Sequence, residues 1–153
     1  MHDFGDAIHS FTGNFDFLSN FYTCKIVYEN EKYRSSEHAF QAAKTDDPLQ
    51  IEKIKKATAG QSKRLGRQAS LRHDWEEKKD YIMLDILRYK FRANPKLKEK
   101  LIATYPKELI EGNNWGDKYW GVDIETGNGL NKLGKILMKV REELVSEKNN
   151  AKI

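Results

Sequence analysis

The chain has 153 residues, 39% of them hydrophobic and 33% charged, with 27 Lys and Arg against 23 Asp and Glu for a net charge of +4. That length suits one domain burying its own core, and 7 Phe, 7 Tyr and 3 Trp at near-balanced charge exclude a disordered chain. The single cysteine, Cys24, excludes a disulfide framework and a Cys-rich zinc site.

No apolar run approaches the ~20 residues of a membrane span. The opening Met-His-Asp-Phe-Gly-Asp lacks the basic and then apolar regions of a signal peptide. A soluble, cytoplasmic protein is expected, with one domain over residues 1–146 and a flexible tail over 147–153.

The N-terminal third reads as β-rich. Ile8 to Phe11, Phe21 to Tyr28 and Glu31 to Tyr33 carry β-branched and aromatic residues, the last two runs joined by a polar Glu29-Asn30 turn. Between the first two, Gly13 to Phe21 alternates turn formers with aromatics and is expected to be a loop with buried rings. Helix signals begin with the serine cap Ser35-Ser36 before Glu37 to Lys44. Pro48 opens a second helix that fades at Thr58-Ala59-Gly60, and a short third covers Gln61 to Leu65, ending near Gly66. The longest runs from Asp74 to Phe91 and stops at Asn94-Pro95, where Pro95 starts the next. Leu109 to Glu111 reads as a short strand and Gly112 to Gly129 as a long loop. Leu133, Ile136, Leu137, Val140 and Leu144 mark the closing helix. The class is α+β: mostly helical, with a small N-terminal β-sheet.

Three segments hold residues that packing alone does not explain. On the helix Glu37 to Lys44, the side chains of Glu37, Gln41 and Lys44 fall within an arc of roughly 60°. They form either a solvated polar stripe or a row pointing into a pocket, with Glu37 moving protons, Gln41 orienting a ligand and Lys44 serving as cation or nucleophile. His38 points a quarter-turn away and reads as a hydrogen-bonded structural group. His2, His9 and His73 form no ligand pattern, so no metal site and no cofactor are expected.

The second segment, Gly112 to Asn131, contains two Trp-Gly pairs. Trp115 and Trp120 offer stacking faces, Gly116 and Gly121 offer close backbone approach, and the glycines before Asn131 lead into a helix N-terminus suited to phosphate. The same residues also read as core plugs and turns. Third, Arg64 and Arg67 beside Ser62 and Lys63 either clamp a phosphate or decorate a surface.

The strings Phe17-Leu18-Ser19-Asn20-Phe21 and Ser36-Glu37-His38-Ala39-Phe40-Gln41-Ala42-Ala43-Lys44 resemble the two N-terminal motifs of the NADAR family, which includes YbiA-type N-glycosidases. Trp75 opening a helix that ends in Lys90-Phe91, Trp120-Gly121 ahead of Asn131-Lys132-Leu133-Gly134, and the close Leu137-Met138-Lys139-Val140-Arg141 are similar too. The likeness spans Phe11 to Leu144 in the family's order. Either Trp-Gly pair aligns with the family's, and spacing to Asn131 favours Trp120.

The resemblance implies a YbiA-like fold and hydrolysis of N-glycosidic bonds between ribose C1 and an amine or nucleobase nitrogen. It implies phosphorylated substrates: ribosylamino-pyrimidine phosphates of riboflavin synthesis, or ADP-ribose on guanine, free or carried on DNA. It also implies Glu37 and Lys44 as catalytic residues and Asn20, Phe21, Gln41, Arg64, Arg67, Trp115, Asp117, Trp120, Gly121 and Asn131 as substrate-binding ones.

Two mechanisms fit: direct hydrolysis assisted by Glu37, or a Schiff base on Lys44, which the paired acid and amine favour. A different reading is a non-catalytic ADP-ribose or nucleotide reader, which needs the tryptophans and basic groups but not Glu37. A general nucleic-acid binder is a third, carried only by the dispersed positive charge.

Overall fold

In the computed structural model, which describes Met1–Ala151, the contacts divide the chain into two units. One is Asn20–Lys90; the other joins Met1–Ser19 to the chain from Phe91 onward. The class is the expected α+β, mostly helical.

Asn20–Lys90 begins with an antiparallel hairpin, β1 (Ile26–Tyr28) and β2 (Glu31–Tyr33), in the register Ile26↔Tyr33, Val27↔Lys32, Tyr28↔Glu31. Its turn is the expected Glu29-Asn30. Both residues have positive φ, 52° and 65°, as a two-residue loop matching strand twist requires. The strand expected from Phe21 is shorter and starts at Ile26.

Helix α1 (Ser36–Ala42) follows, capped by Ser35, whose hydroxyl accepts from the His38 amide. Such caps contribute about 1 kcal/mol. A second anchor fixes its start: the Glu37 amide donates to the Asn20 carbonyl at 2.9 Å, and Ser36 Oγ donates to Asn20 Oδ1 at 2.8 Å. Every residue of α1 is buried, and the helix packs on β1, β2, α2 and α3.

Helix α2 (Pro48–Lys56) starts as its sequence directs, with Asp47 capping the Leu49 amide and Pro48 in the first turn. Helix α3 (Ala59–Gln68) is longer than expected. Thr58 and Gln61 form a reciprocal capping box at its start, and Gly66 lies inside the helix rather than ending it. Helix α4 (Trp75–Ala93) contributes Trp75–Lys90 to this unit, with Trp75, Ile82, Met83, Ile86 and Leu87 buried.

In the other unit, Gly13–Leu18 forms a 3-10 turn within the expected loop. The Phe17 ring is buried as foreseen and Leu18 is buried beside it in sequence, whereas Phe15 is exposed. The strand expected at Ile8 to Phe11 reduces to a single parallel bridge, Ile8 to Leu109, so Leu109 to Glu111 forms no strand either. Helix α5 (Pro95–Ala103), capped by Asn94, packs on α6 (Lys132–Ala151). Arg141, buried on α6, donates to Thr104 Oγ1 at 3.0 Å and to the Lys107 carbonyl at 2.7 Å.

The expected long loop contains two short parallel strands, β3 (Gly112–Asn113) and β4 (Val122–Asp123). Helix α6 continues through Glu147, where Arg92 binds the carboxylate at 2.7 and 2.9 Å. The expected tail thus begins inside a helix, and its residues 152 and 153 lie outside the described residues. No helix of the described residues is long and apolar enough to cross a membrane.

Candidate active site

The Asn20–Lys90 unit gathers Glu37, Gln41 and Lys44. Glu37 and Gln41 stand one turn apart on α1, 6% and 4% exposed, and Gln41 Nε2 donates to Glu37 Oε1 at 2.8 Å. The nitrogen of the Gln41 amide, a group expected to orient a ligand, faces Glu37. The Gln41 Oε1 is buried without a hydrogen-bond partner among the described residues.

Lys44 sits just past the end of α1, in the turn leading to α2, and its amide donates to the Gln41 carbonyl at 3.2 Å. The Lys44 carbonyl accepts the Arg72 amide at 2.7 Å, which fixes the turn. Its ammonium lies 5.8 Å from the Phe40 ring centroid and 5.9 Å from that of Trp75. The two rings are themselves in tilted contact, with centroids 5.0 Å apart.

Burial in this aromatic corner is the main influence on the amine and pushes its pKa below the usual 10.5. The Glu37 carboxylate opposes that by favouring the proton. Arg67, Lys63 and Lys79 reinforce the depression by charge repulsion. The site is thus an amine disposed to lose its proton, an acid in its field, and cations from α3 and α4 acting on the amine. That combination suits attack on an electrophilic carbon in a substrate bearing negative charge.

Other expected residues of this unit fall into different places. Arg64 and Arg67 are exposed on α3, and Arg67 is close enough to bias Lys44. Phe21 is 45% exposed. Asn20 is buried: beyond its bonds to α1, its amide donates to Met83 Sδ at 3.6 Å, so it braces the helix start instead of facing solvent.

His38 has the structural role expected of it. Nδ1 bonds Ser35 Oγ at 2.6 Å and Nε2 bonds the Ala57 carbonyl at 2.7 Å, while burial lowers its pKa. Arg34 Nη2 donates to the same Ala57 carbonyl. Sequence reasoning did not single out Trp75 or Lys79 as neighbours of the amine. The only signal was the pairing of a helix-opening tryptophan with a Glu/Lys-rich first turn.

The remaining expected residues belong to the other unit, where most are engaged internally. Asp117 Oδ1 accepts the Tyr119 and Trp120 amides at 3.1 and 2.9 Å, and its own amide donates to Asn113 Oδ1 at 3.1 Å. Trp120 is half-buried and stacks on Tyr119 with centroids 4.9 Å apart, whereas Trp115 is 60% exposed. Gly121 is required by packing, because a Cβ there would overlap Glu111.

Asn131 is buried with φ 53°. It donates to the Leu109 carbonyl at 3.0 Å and accepts the Glu111 amide at 3.0 Å. A phosphate site is expected at the start of α6. The amides of Asn131, Lys132 and Leu133 already donate to the carbonyls of Gly121, Tyr119 and Trp120 at 3.2, 3.1 and 2.9 Å.

Comparison with known proteins agrees with these features. The NADAR domain model matches residues 9–145. N-glycosidase YbiA of Escherichia coli is 37% identical over 143 residues, covering 92% of this chain and 88% of that protein. A riboflavin biosynthesis protein of Vibrio vulnificus is 45% identical over 134 residues. That match covers 86% of this chain but only 36% of the Vibrio protein, so the chain spans about a third of its length. The NMR structure of E. coli YbiA superposes with a TM-score of 0.80 at 36% identity, covering 96% of this chain and 90% of that one. The sequence motifs, the helix-rich fold and these matches coincide: the chain belongs to the NADAR family.

Proposed function

We propose that the chain is an N-glycosidase that releases an amine from ribose C1 in a phosphorylated ribosylamine, with Lys44 as nucleophile and Glu37 as proton carrier. The observation that carries this reading is the Lys44 amine. It is held against Phe40 and Trp75 with its proton loosened by burial, in the field of the Glu37 carboxylate. The N-glycosidase name of YbiA supports the reaction class. The riboflavin biosynthesis name of the Vibrio relative supports a ribosylamino-pyrimidine phosphate over ADP-ribosylated guanine as substrate.

In the ring-opened substrate, C1 is an iminium carbon. Neutral Lys44 Nζ adds to it, and the proton that the amine sheds passes through Glu37 to the departing nitrogen. That nitrogen leaves with the electrons of its bond to C1, and C1 becomes a Schiff base with Lys44. Water adds to C1, the sugar phosphate departs, and the lysine amine is restored. One water is consumed for each amine and sugar released. Lys63, Arg67 and Lys79 supply positive charge for the phosphate.

The test is turnover of a 6-ribosylaminopyrimidine 5′-phosphate with borohydride present. The expected result is a sugar-phosphate adduct trapped on Lys44, and no turnover by Lys44→Ala. An active Lys44→Ala enzyme would overturn the lysine route.

A further inference from the structure

Gly66 occupies a position where a helix gains nothing from glycine. It lies inside α3, and its backbone is outside the left-handed region. Glycine there sacrifices chain entropy that alanine would not. The reason for it lies on the neighbouring helix. A Cβ built at Gly66 would overlap Gln41 Oε1 and come within 2.7 Å of Gln41 Cδ and 3.2 Å of Gln41 Cβ. The bare backbone of α3 is therefore the slot in which the Gln41 carboxamide lies flat.

The amide in that slot is unusual in a second way. Its oxygen is buried against α3 without a hydrogen-bond partner among the described residues, a state that is itself unfavourable. Its nitrogen donates to Glu37 Oε1 at 2.8 Å. A helix-weakening glycine and an orphaned oxygen thus meet at one side chain, and what they jointly secure is an N–H aimed at the buried carboxylate.

We propose that Gly66 is a positioning residue of the site: it seats the Gln41 amide so that Nε2 orients Glu37 and stabilises its ionised form, and it acts on Glu37 only through Gln41. This deepens the function proposed above and rests on it for the role of Glu37, although the coupling itself is independent of any substrate. Of the charged groups nearby, Lys44 after α1 interacts with Glu37 directly, and Lys63 and Arg67 on α3 and Lys79 on α4 act on Lys44. Towards the hairpin and α2, Glu31 and Glu52 are paired with Lys55, and Arg34 and His38 face Ala57.

The experiment is a double-mutant cycle on the full chain with Gly66→Ala, Gln41→Ala and the pair together. Its first readout is the carboxyl titration of Glu37 by NMR, and its second is kcat and KM on the 6-ribosylaminopyrimidine phosphate. Losing the N–H donor disfavours the carboxylate, so each single variant is expected to move the Glu37 titration to higher pH. Each is also expected to lower kcat by about tenfold or more with KM little changed.

Gly66→Ala should in addition melt at lower temperature. In the pair, the shortened residue 41 makes room and only its Cβ contact at 3.2 Å remains, so thermal stability should recover. The Glu37 titration and kcat should then match those of Gln41→Ala alone. The proposal is overturned if Gly66→Ala leaves the Glu37 titration unmoved, or if the two substitutions shift it additively. A cycle that behaves as expected in a protein without turnover would retain the coupling and discard the proposed reaction instead.

Discussion

Two regions of this protein are rich in residues that look functional, and they carry that richness for different reasons. Around α1, Glu37 and Gln41 are buried and meet side chain to side chain, with the half-buried Lys44 in the field of Glu37. Glu37 receives the Gln41 amide, and Lys44 sits over two rings in a field of further cations. Between Asn113 and Gly134, Asp117 and Asn131 close on the backbone. Asp117 ties down Tyr119 and Trp120, Asn131 ties Leu109 to Glu111, and a Cβ at Gly134 would overlap the Leu109 carbonyl and Asn131 Oδ1. A motif residue whose hydrogen bonds all return to the main chain supports the shape of a segment. At α1 the buried Gln41 amide instead meets another side chain, the Glu37 carboxylate, in the same cluster as Lys44.

Substitutions can break this contrast if it is wrong. The largest expected effect is at Lys44. Lys44→Met should lower kcat by about a thousandfold or more, within the range ascribed to removing a positioned catalytic group. It should also raise Tm at neutral pH. An amine whose folded pKa lies below 10.5 leaves folding unpenalised above that pH, and the penalty accumulates as pH falls towards the folded value. An uncharged, similarly shaped side chain escapes that penalty. A Lys44→Met variant that melted lower than wild type across neutral pH would place the lysine among structural groups. In the wild-type enzyme, turnover should rise with pH through the amine's ionisation, at lower pH than an ordinary lysine would give.

Asn131→Ala should have the reverse profile. It removes one buried and one half-buried hydrogen bond that tie Leu109 to Glu111, costing about 2–3 kcal/mol. Tm should fall at roughly 2–4 °C per kcal/mol. The kcat of the folded protein should be unchanged, as activity measured well below Tm would reveal. The smallest effect is expected at Asp117→Ala, which releases two half-buried amides and costs about 1–2 kcal/mol by thermal melting. If Asp117→Ala abolished turnover without lowering Tm, the contrast would fail on that side.

The sequence discloses most helix starts, because their signals are local. Ser35, Asp47 and Asn94 each cap the helix they precede, and Pro48 and Pro95 each sit in a first turn. The Glu29-Asn30 turn is legible for the same reason. Features that depend on distant segments are not. Gly66 reads as a helix end until Gln41 is seen lying against it. Ile8 to Phe11 reads as a strand, yet it finds a single partner at Leu109. The N-terminus of α6 reads as open, whereas carbonyls of the preceding loop close it.

At the site, the placement of Glu37 and Gln41 follows from helical spacing. Lys44 belongs to the same cluster although the helix ends before it, and the aromatic cover from Trp75 comes from too far along the chain to be foreseen.

The carbonyl of Ala57 accepts from both His38 and Arg34, one residue before the Thr58 cap that launches α3. A single oxygen atom therefore works as the hub where the reacting helix and the cationic helix are latched. Neutral His38 completes the latch by accepting the Ser35 proton, and burial keeps the ring neutral to lower pH than usual. Acid strong enough to protonate it would turn Nδ1 into a donor towards Ser35 Oγ while Nε2 kept donating to the Ala57 carbonyl, so the change would fall on the first turn of α1 and leave the link to α3 in place.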